Sequence, residues 1–151
     1  MLKSSGLTGR SDHRVDAKGR LNIPASMRKV LAPDDHDEVV VLLAPDGHLL
    51  LFNREYWSGT IQQSIMDKTD TIGSKAVWRA INRLSENSHT STVDSNGRIT
   101  IPSRLLKSSG IDGDAVVIGA FDRVFVWNPG SYEKWIGDDD VDLTIADIGI
   151  L

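Results

Sequence analysis

Val15-Asp16-Ala17-Lys18-Gly19-Arg20-Leu21-Asn22-Ile23-Pro24 returns 78 residues later as Val93-Asp94-Ser95-Asn96-Gly97-Arg98-Ile99-Thr100-Ile101-Pro102, with six of the ten positions identical. The match resumes further on, where Val39-Val40-Val41-Leu42 faces Ala115-Val116-Val117-Ile118 and Leu51-Phe52-Asn53 faces Val126-Trp127-Asn128. Chance seldom repeats a turn, a strand, a proline and a second hairpin in the same order, so the chain is an internal duplication. Two half-domains related by pseudo-symmetry follow from it.

Each copy is read locally. In Asp-x-x-Gly the Asp closes a turn through its side chain and the Gly supplies a positive φ, which suits a hairpin loop. Leu21-Asn22-Ile23 and Ile99-Thr100-Ile101 alternate apolar and polar residues, the period of a half-buried strand. Pro24 and Pro102 then stand where a short helix starts. Met27, Val30 and Leu31 share a face of the first helix before Pro33 stops it, and the second runs through Leu105 and Leu106 to a C-capping Gly110. Arg28, Lys29, Arg104 and Lys107 are expected to point outward. A second hairpin follows in each copy, over residues 39–43 and 49–52 around Pro45-Asp46-Gly47, and over 115–118 and 124–127 around Asp122-Arg123. Asn53 and Asn128 are good N-caps for aromatic-bearing helices. Trp57, Ile61 and Ile65, then Val77, Ile81 and Leu84, have helical spacing interrupted at Asp70-Thr71-Ile72-Gly73, which predicts a helical hairpin between the copies. The expected division is a first repeat over 8–54, a helical linker over 55–88, a second repeat over 89–136 and an acidic tail over 137–151.

At 151 residues with 40% apolar and 25% charged content, the chain reads as globular rather than disordered. It has no cysteine, so disulfides and thiolate metal sites are excluded. With no signal-like start and no long apolar run, the expectation is a cytoplasmic protein without a membrane span. The net charge of −4 hides an alternation. Residues 1–30 carry seven Lys/Arg against two Asp, residues 31–74 two against eight, residues 75–110 six against two, and residues 111–151 two against nine. Both basic blocks contain a copy of the motif, which predicts one basic face once the chain folds.

Enzyme chemistry finds little support. His13, His36, His48 and His89 are scattered without metal-ligand spacing and read as surface or turn residues. There is no Gly-rich phosphate loop, no Gly-x-Ser-x-Gly elbow and no thiol nucleophile, so no catalytic residue, cofactor, metal or small-molecule substrate is expected.

The doubled Asp-x-x-x-Arg, each followed by a strand, a proline-initiated helix and a second hairpin, resembles the MraZ family of bacterial transcriptional regulators, tandem members of the AbrB-like group. The resemblance covers about residues 10 to 136. It implies an α+β, mostly β fold: a pseudo-symmetric swapped-hairpin barrel with short helices and a helical linker. It also implies a ring-like homo-oligomer, nucleoid association, and binding of double-stranded DNA at short repeated boxes upstream of the cell-division and cell-wall operon. Carried over by position, the family's motif falls on Asp16 and Arg20, and on Asp94 and Arg98. The DNA-contact candidates are therefore Arg14, Asp16, Lys18, Arg20, Asp94, Asn96 and Arg98, with the arginines foremost because a guanidinium locks onto phosphate or a guanine edge through two donors. The alternative is that each Arg pairs with its own Asp and holds the turn; both roles coexist if Asp orients the Arg. Asn96 in place of Lys18, and Leu106 in place of Arg28, make the second copy locally less basic. The alternative function is an antitoxin-like regulator whose main role is binding a partner protein. The acidic tail reads as a solvated segment.

Overall fold

A computed structural model describes residues 6–68 and 74–138. The interruption expected at 70–73 and residues 139–151 of the acidic tail lie outside the described residues. The first copy supplies β1 (Arg10–Arg14), β2 (Arg20–Asn22), α1 (Ala25–Leu31), β3 (Glu38–Leu43) and β4 (Leu49–Asn53). Next come α2 (Arg54–Tyr56), a π-helical turn (Trp57–Gln62), α3 (Gln63–Lys68) and α4 (Ser74–Glu86). The second copy supplies β5 (Ser88–Thr92), β6 (Arg98–Thr100), α5 (Ser103–Ser109), β7 (Asp114–Ala120), β8 (Arg123–Trp127) and α6 (Pro129–Ile136). The fold is α+β.

The copies do not fold side by side. An antiparallel six-stranded sheet runs β1-β7-β8-β4-β3-β5, so the first strand of each copy pairs with the third strand of the other. A separate two-stranded ribbon joins β2 to β6. In the ribbon Leu21 faces Ile99, residues related by the 78-residue offset of the repeat. In the sheet Leu50 faces Phe125, also equivalent positions. A pseudo-two-fold axis therefore passes through both pairs, and Arg20↔Thr100 is the image of Arg98↔Asn22. The sheet is open, with β1 and β5 at its edges, and the exchange of strands is compatible with a swapped-hairpin fold.

Burial follows from this layering. β3 and β4 are apolar on both faces because both are covered. On one face Val39, Val41, Leu49, Leu51, Ala115, Val117, Val124 and Val126 pack against Leu21 and Ile99 of the ribbon and Met27, Leu31 and Leu105 of α1 and α5. Leu21 and Ile99 are fully buried, each stabilising the fold by roughly 1.5–3 kcal/mol through lost apolar exposure. On the opposite face Val40, Leu42, Leu50 and Phe52 are covered by Trp57, Ile61 and Leu84. The edge strands Arg10-Ser11-Asp12-His13-Arg14 and Ser88-His89-Thr90-Ser91-Thr92 are polar, which protects an unpaired sheet edge from further pairing. The N-caps form as expected: Asn53 Oδ1 accepts from the Tyr56 N–H and Asn128 Oδ1 from that of Ser131. Each Asn also donates through Nδ2 to the end of the short helix of its own copy, at Leu31 O and Gly110 O.

Four sequence expectations change. His48 is not a surface or turn residue: it is 5% exposed, stacked 4.3 Å from the Trp127 ring and 5.1 Å from Phe125, and its burial pushes its pKa down. Arg28 does not point outward but crosses the second turn, where its guanidinium lies against Gly97. The β7–β8 turn is made by Phe121, at φ 65°, and Asp122, because Arg123 already belongs to β8. The second basic block is split: Arg98 and Lys107 lie with Arg14, Lys18 and Arg20 on the ribbon side, whereas Lys75, Arg79 and Arg83 lie on α4, whose Leu84 packs against the sheet face opposite the ribbon. No helix among the described residues is long and apolar enough to cross a membrane.

Candidate nucleic-acid interface

The Asp-x-x-Gly-Arg turns are built alike. Asp16 Oδ1 accepts the backbone N–H of Lys18 (3.0 Å) and of Arg20 (2.9 Å), and Oδ2 accepts Arg20 Nε–H (2.7 Å). Asp94 repeats this with Asn96 (2.8 Å), Arg98 (3.0 Å) and Arg98 Nε (2.9 Å). These bonds stabilise the charged carboxylate, and the backbone N–H of the Arg is the largest contribution holding each Asp below the usual carboxylate range. Gly19 (φ 81°) and Gly97 (φ 78°) make the reversal in a region that L side chains rarely enter. Each turn is also tied across the axis, Ile101 N–H donating to Gly19 O and Ile23 N–H to Gly97 O.

A consequence for chemistry follows from the use of Nε. Each guanidinium is oriented from below by its Asp, while its Nη atoms have no hydrogen-bond partner among the described residues. Arg20 and Arg98 are 32% and 27% exposed at the side chain, so each is partly packed and partly accessible. Strand alternation sends Leu21 and Ile99 inward and leaves Arg20, Asn22, Arg98 and Thr100 on the outer face of the ribbon. Arg20 and Arg98 are diagonal neighbours on that face, with Cα atoms about 7–8 Å apart. Two fork-shaped cationic donors thus sit around a pseudo-two-fold axis, on the side of the molecule away from the helices that cover the far face of the sheet.

The other candidates take different places. Lys18 and Asn96 are exposed at the tips of the turns, where their backbone N–H groups serve Asp16 and Asp94. Arg14 lies on edge strand β1, paired with Asp114 at 2.8 Å and mostly exposed. Asp16 and Asp94 use both carboxylate oxygens in the turns. Three residues near this surface escaped the sequence reading. Asn22 and Thr100 are exposed on the ribbon face and follow from the same alternation that marked the strand. Arg28 reaches the second turn from the first copy, a placement that depends on strand exchange.

No group of three or more His, Cys, Asp or Glu residues suited to a metal ion occurs among the described residues.

The family model described as "MraZ protein, putative antitoxin-like" matches residues 7–79 and 84–144. Relatives named "Transcriptional regulator MraZ" include one from Chlorobaculum parvum, 31% identical over 89% of this chain and 86% of the relative. One from Maridesulfovibrio salexigens is 31% identical over 94% of this chain and 95% of the relative, and one from Christiangramia forsetii is 32% identical over 90% and 86%. With both copies of the turn, the proline-initiated helices and the paired hairpins inside the matched residues, the chain belongs to the MraZ family.

Proposed function

We propose that this chain is a DNA-binding transcriptional regulator that reads short repeated boxes in double-stranded DNA through the outer face of the β2–β6 ribbon. The observation carrying this reading is the pair Arg20 and Arg98, each partly exposed and oriented through Nε by its own Asp, with Nη atoms that have no hydrogen-bond partner among the described residues. Such a guanidinium suits a phosphate or the O6/N7 edge of guanine, because two planar donors are presented without a search over rotamers. Arg20, with Lys18 and Arg14 near it, is the principal contact, and Arg98 acts with it across the axis. Asp16, Asp94 and Asn96 hold the turns in shape. The names of the relatives support regulation of transcription.

A single chain also leaves Phe121 (78% exposed), Ile136 (56%), Trp78 (55%) and Trp135 (45%) uncovered. Such side chains favour self-association, which supports a homo-oligomer, ring-like as in the resemblance, whose several ribbons face several boxes and gain through effective concentration. The expected site of action is the nucleoid, upstream of the cell-division and cell-wall operon. Footprinting of the purified protein on the DNA upstream of its own gene tests this. Protection of regularly spaced boxes in the presence of excess bulk DNA is expected, and uniform or absent protection refutes it.

A further inference from the structure

The two turns are alike, but the grooves beside them are not. Beside the first turn lies an open groove of about 790 Å³ whose rim carries Arg14, Lys18 and, from α5 of the second copy, Lys107. Beside the second turn the corresponding groove is about 480 Å³, and Asp34, Asp35 and His36 form its wall with Arg28 across Gly97. Two sequence differences produce this. The connection from α1 to β3, residues 32–37, is longer than that from α5 to β7, residues 110–113, and the extra length is acidic. Position 28 is Arg where its equivalent, 106, is Leu, so an aliphatic side chain lies near Gly19 while a guanidinium fills the space at Gly97.

We infer that the protein holds DNA in one fixed polarity, one phosphate backbone passing through the groove beside the first turn against Lys107, Lys18 and Arg14, and none through its acidic counterpart. This rests on the DNA-binding reading above. Phosphates are attracted by the three cations of the first groove, whereas the second offers one, Arg28, against the carboxylates of Asp34, Asp35 and Asp94. Asp16 and Asp112 also line the first groove, but Asp16 is engaged by Arg20. The Arg14–Asp114 pair is 73% and 68% exposed, and an exposed pair is weak enough to exchange its carboxylate for a phosphate. The ribbon face alone is close to symmetric; the grooves break the symmetry and distinguish one end of the site from the other.

The chain has no cysteine, so a single one introduced at Ala17 or at its exposed equivalent Ser95 carries a DNA-cleaving iron chelate without interference. On a duplex with one protected box, Ala17→Cys cuts one flank and Ser95→Cys the other, and the two sides exchange when the box is inverted. Equal cutting of both flanks by both variants overturns the inference while leaving DNA binding intact. Failure of the untagged protein to protect any box overturns both. In parallel, Lys107→Ala weakens binding across all sequences and flattens the salt dependence by about one unit of slope, whereas Lys29→Ala, its equivalent on α1, changes neither. Equal effects of the two lysines also overturn it.

Discussion

Gly19→Ala and Gly97→Ala put the same methyl group at equivalent positions of equivalent turns, and their costs should differ. Both glycines sit near φ 80°, where an L residue loses about 1–2 kcal/mol through contact of its Cβ with the neighbouring carbonyl. Beyond that shared strain, a Cβ on Gly19 would come to 2.6 Å from the Ile101 carbonyl oxygen, a backbone atom. That segment is itself bound, since Ile101 N–H donates to Gly19 O at 2.8 Å. Relief therefore loosens a bond across the pseudo-two-fold axis, adding about 1 kcal/mol. A Cβ on Gly97 meets the end of the Arg28 side chain, which rotates away into solvent. The expected losses are about 2–3 kcal/mol for Gly19→Ala and about 1–2 kcal/mol for Gly97→Ala. Urea unfolding at one protein concentration reads them as shifts in midpoint at constant slope. Equal losses, or a larger loss at Gly97, would refute the inference that one turn abuts backbone and the other a movable side chain.

Other predictions concern the layers around the ribbon. His48 is depressed by burial, so the unfolded chain takes up a proton near pH 6.5 while the folded one resists until lower pH. The associated stability is complete above about pH 7 and is lost as pH falls below that unfolded value; in a pH series of Tm, His48→Phe should flatten this slope, and a slope unchanged by the substitution would exclude His48 as its source. Asn128→Ala removes an N-cap and the bond to Gly110 O, and chemical denaturation should show a loss of about 1–2 kcal/mol, against no measurable change if α6 contributes nothing. Phe121→Asn introduces a residue type tolerant of the positive φ at this position and removes the most exposed aromatic ring; light scattering should report a smaller particle, and an unchanged mass would place the self-association surface elsewhere.

What could be read from the sequence was what is local. The Asp-x-x-Gly-Arg turns, the alternation of β2 and β6, the proline-started helices and the Asn53 and Asn128 caps depend on contacts within a few residues, and each is where its pattern put it. Strand exchange depends on long-range pairing, which the period of a strand does not encode, so only the family resemblance implies a swapped-hairpin fold, and the order β1-β7-β8-β4-β3-β5 comes from the structure alone. The fate of Arg28 follows from that gap: by sequence it makes the first copy the more basic one, but exchange places its guanidinium on the second turn. His48 misled because it follows a Pro-Asp-Gly turn, a surface signal, while Trp127 and Trp135 that bury it come from residues far along the chain. On the ribbon, the Asp–Arg pairing that competes with DNA contact as an explanation of the motif is present, through Nε alone, and the Nη donors of both arginines have no partner among the described residues.

The most direct test of the ribbon as the DNA-reading surface is the salt dependence of binding to the upstream region, with Arg20→Ala and Arg98→Ala measured beside the unaltered protein. Affinity should fall linearly in log–log form with salt, because phosphate contacts release counterions. The larger loss is expected for Arg20→Ala, with both variants still folded by their unfolding midpoints. Binding insensitive to salt, or unaffected by removal of either arginine, would rule out the ribbon as that surface.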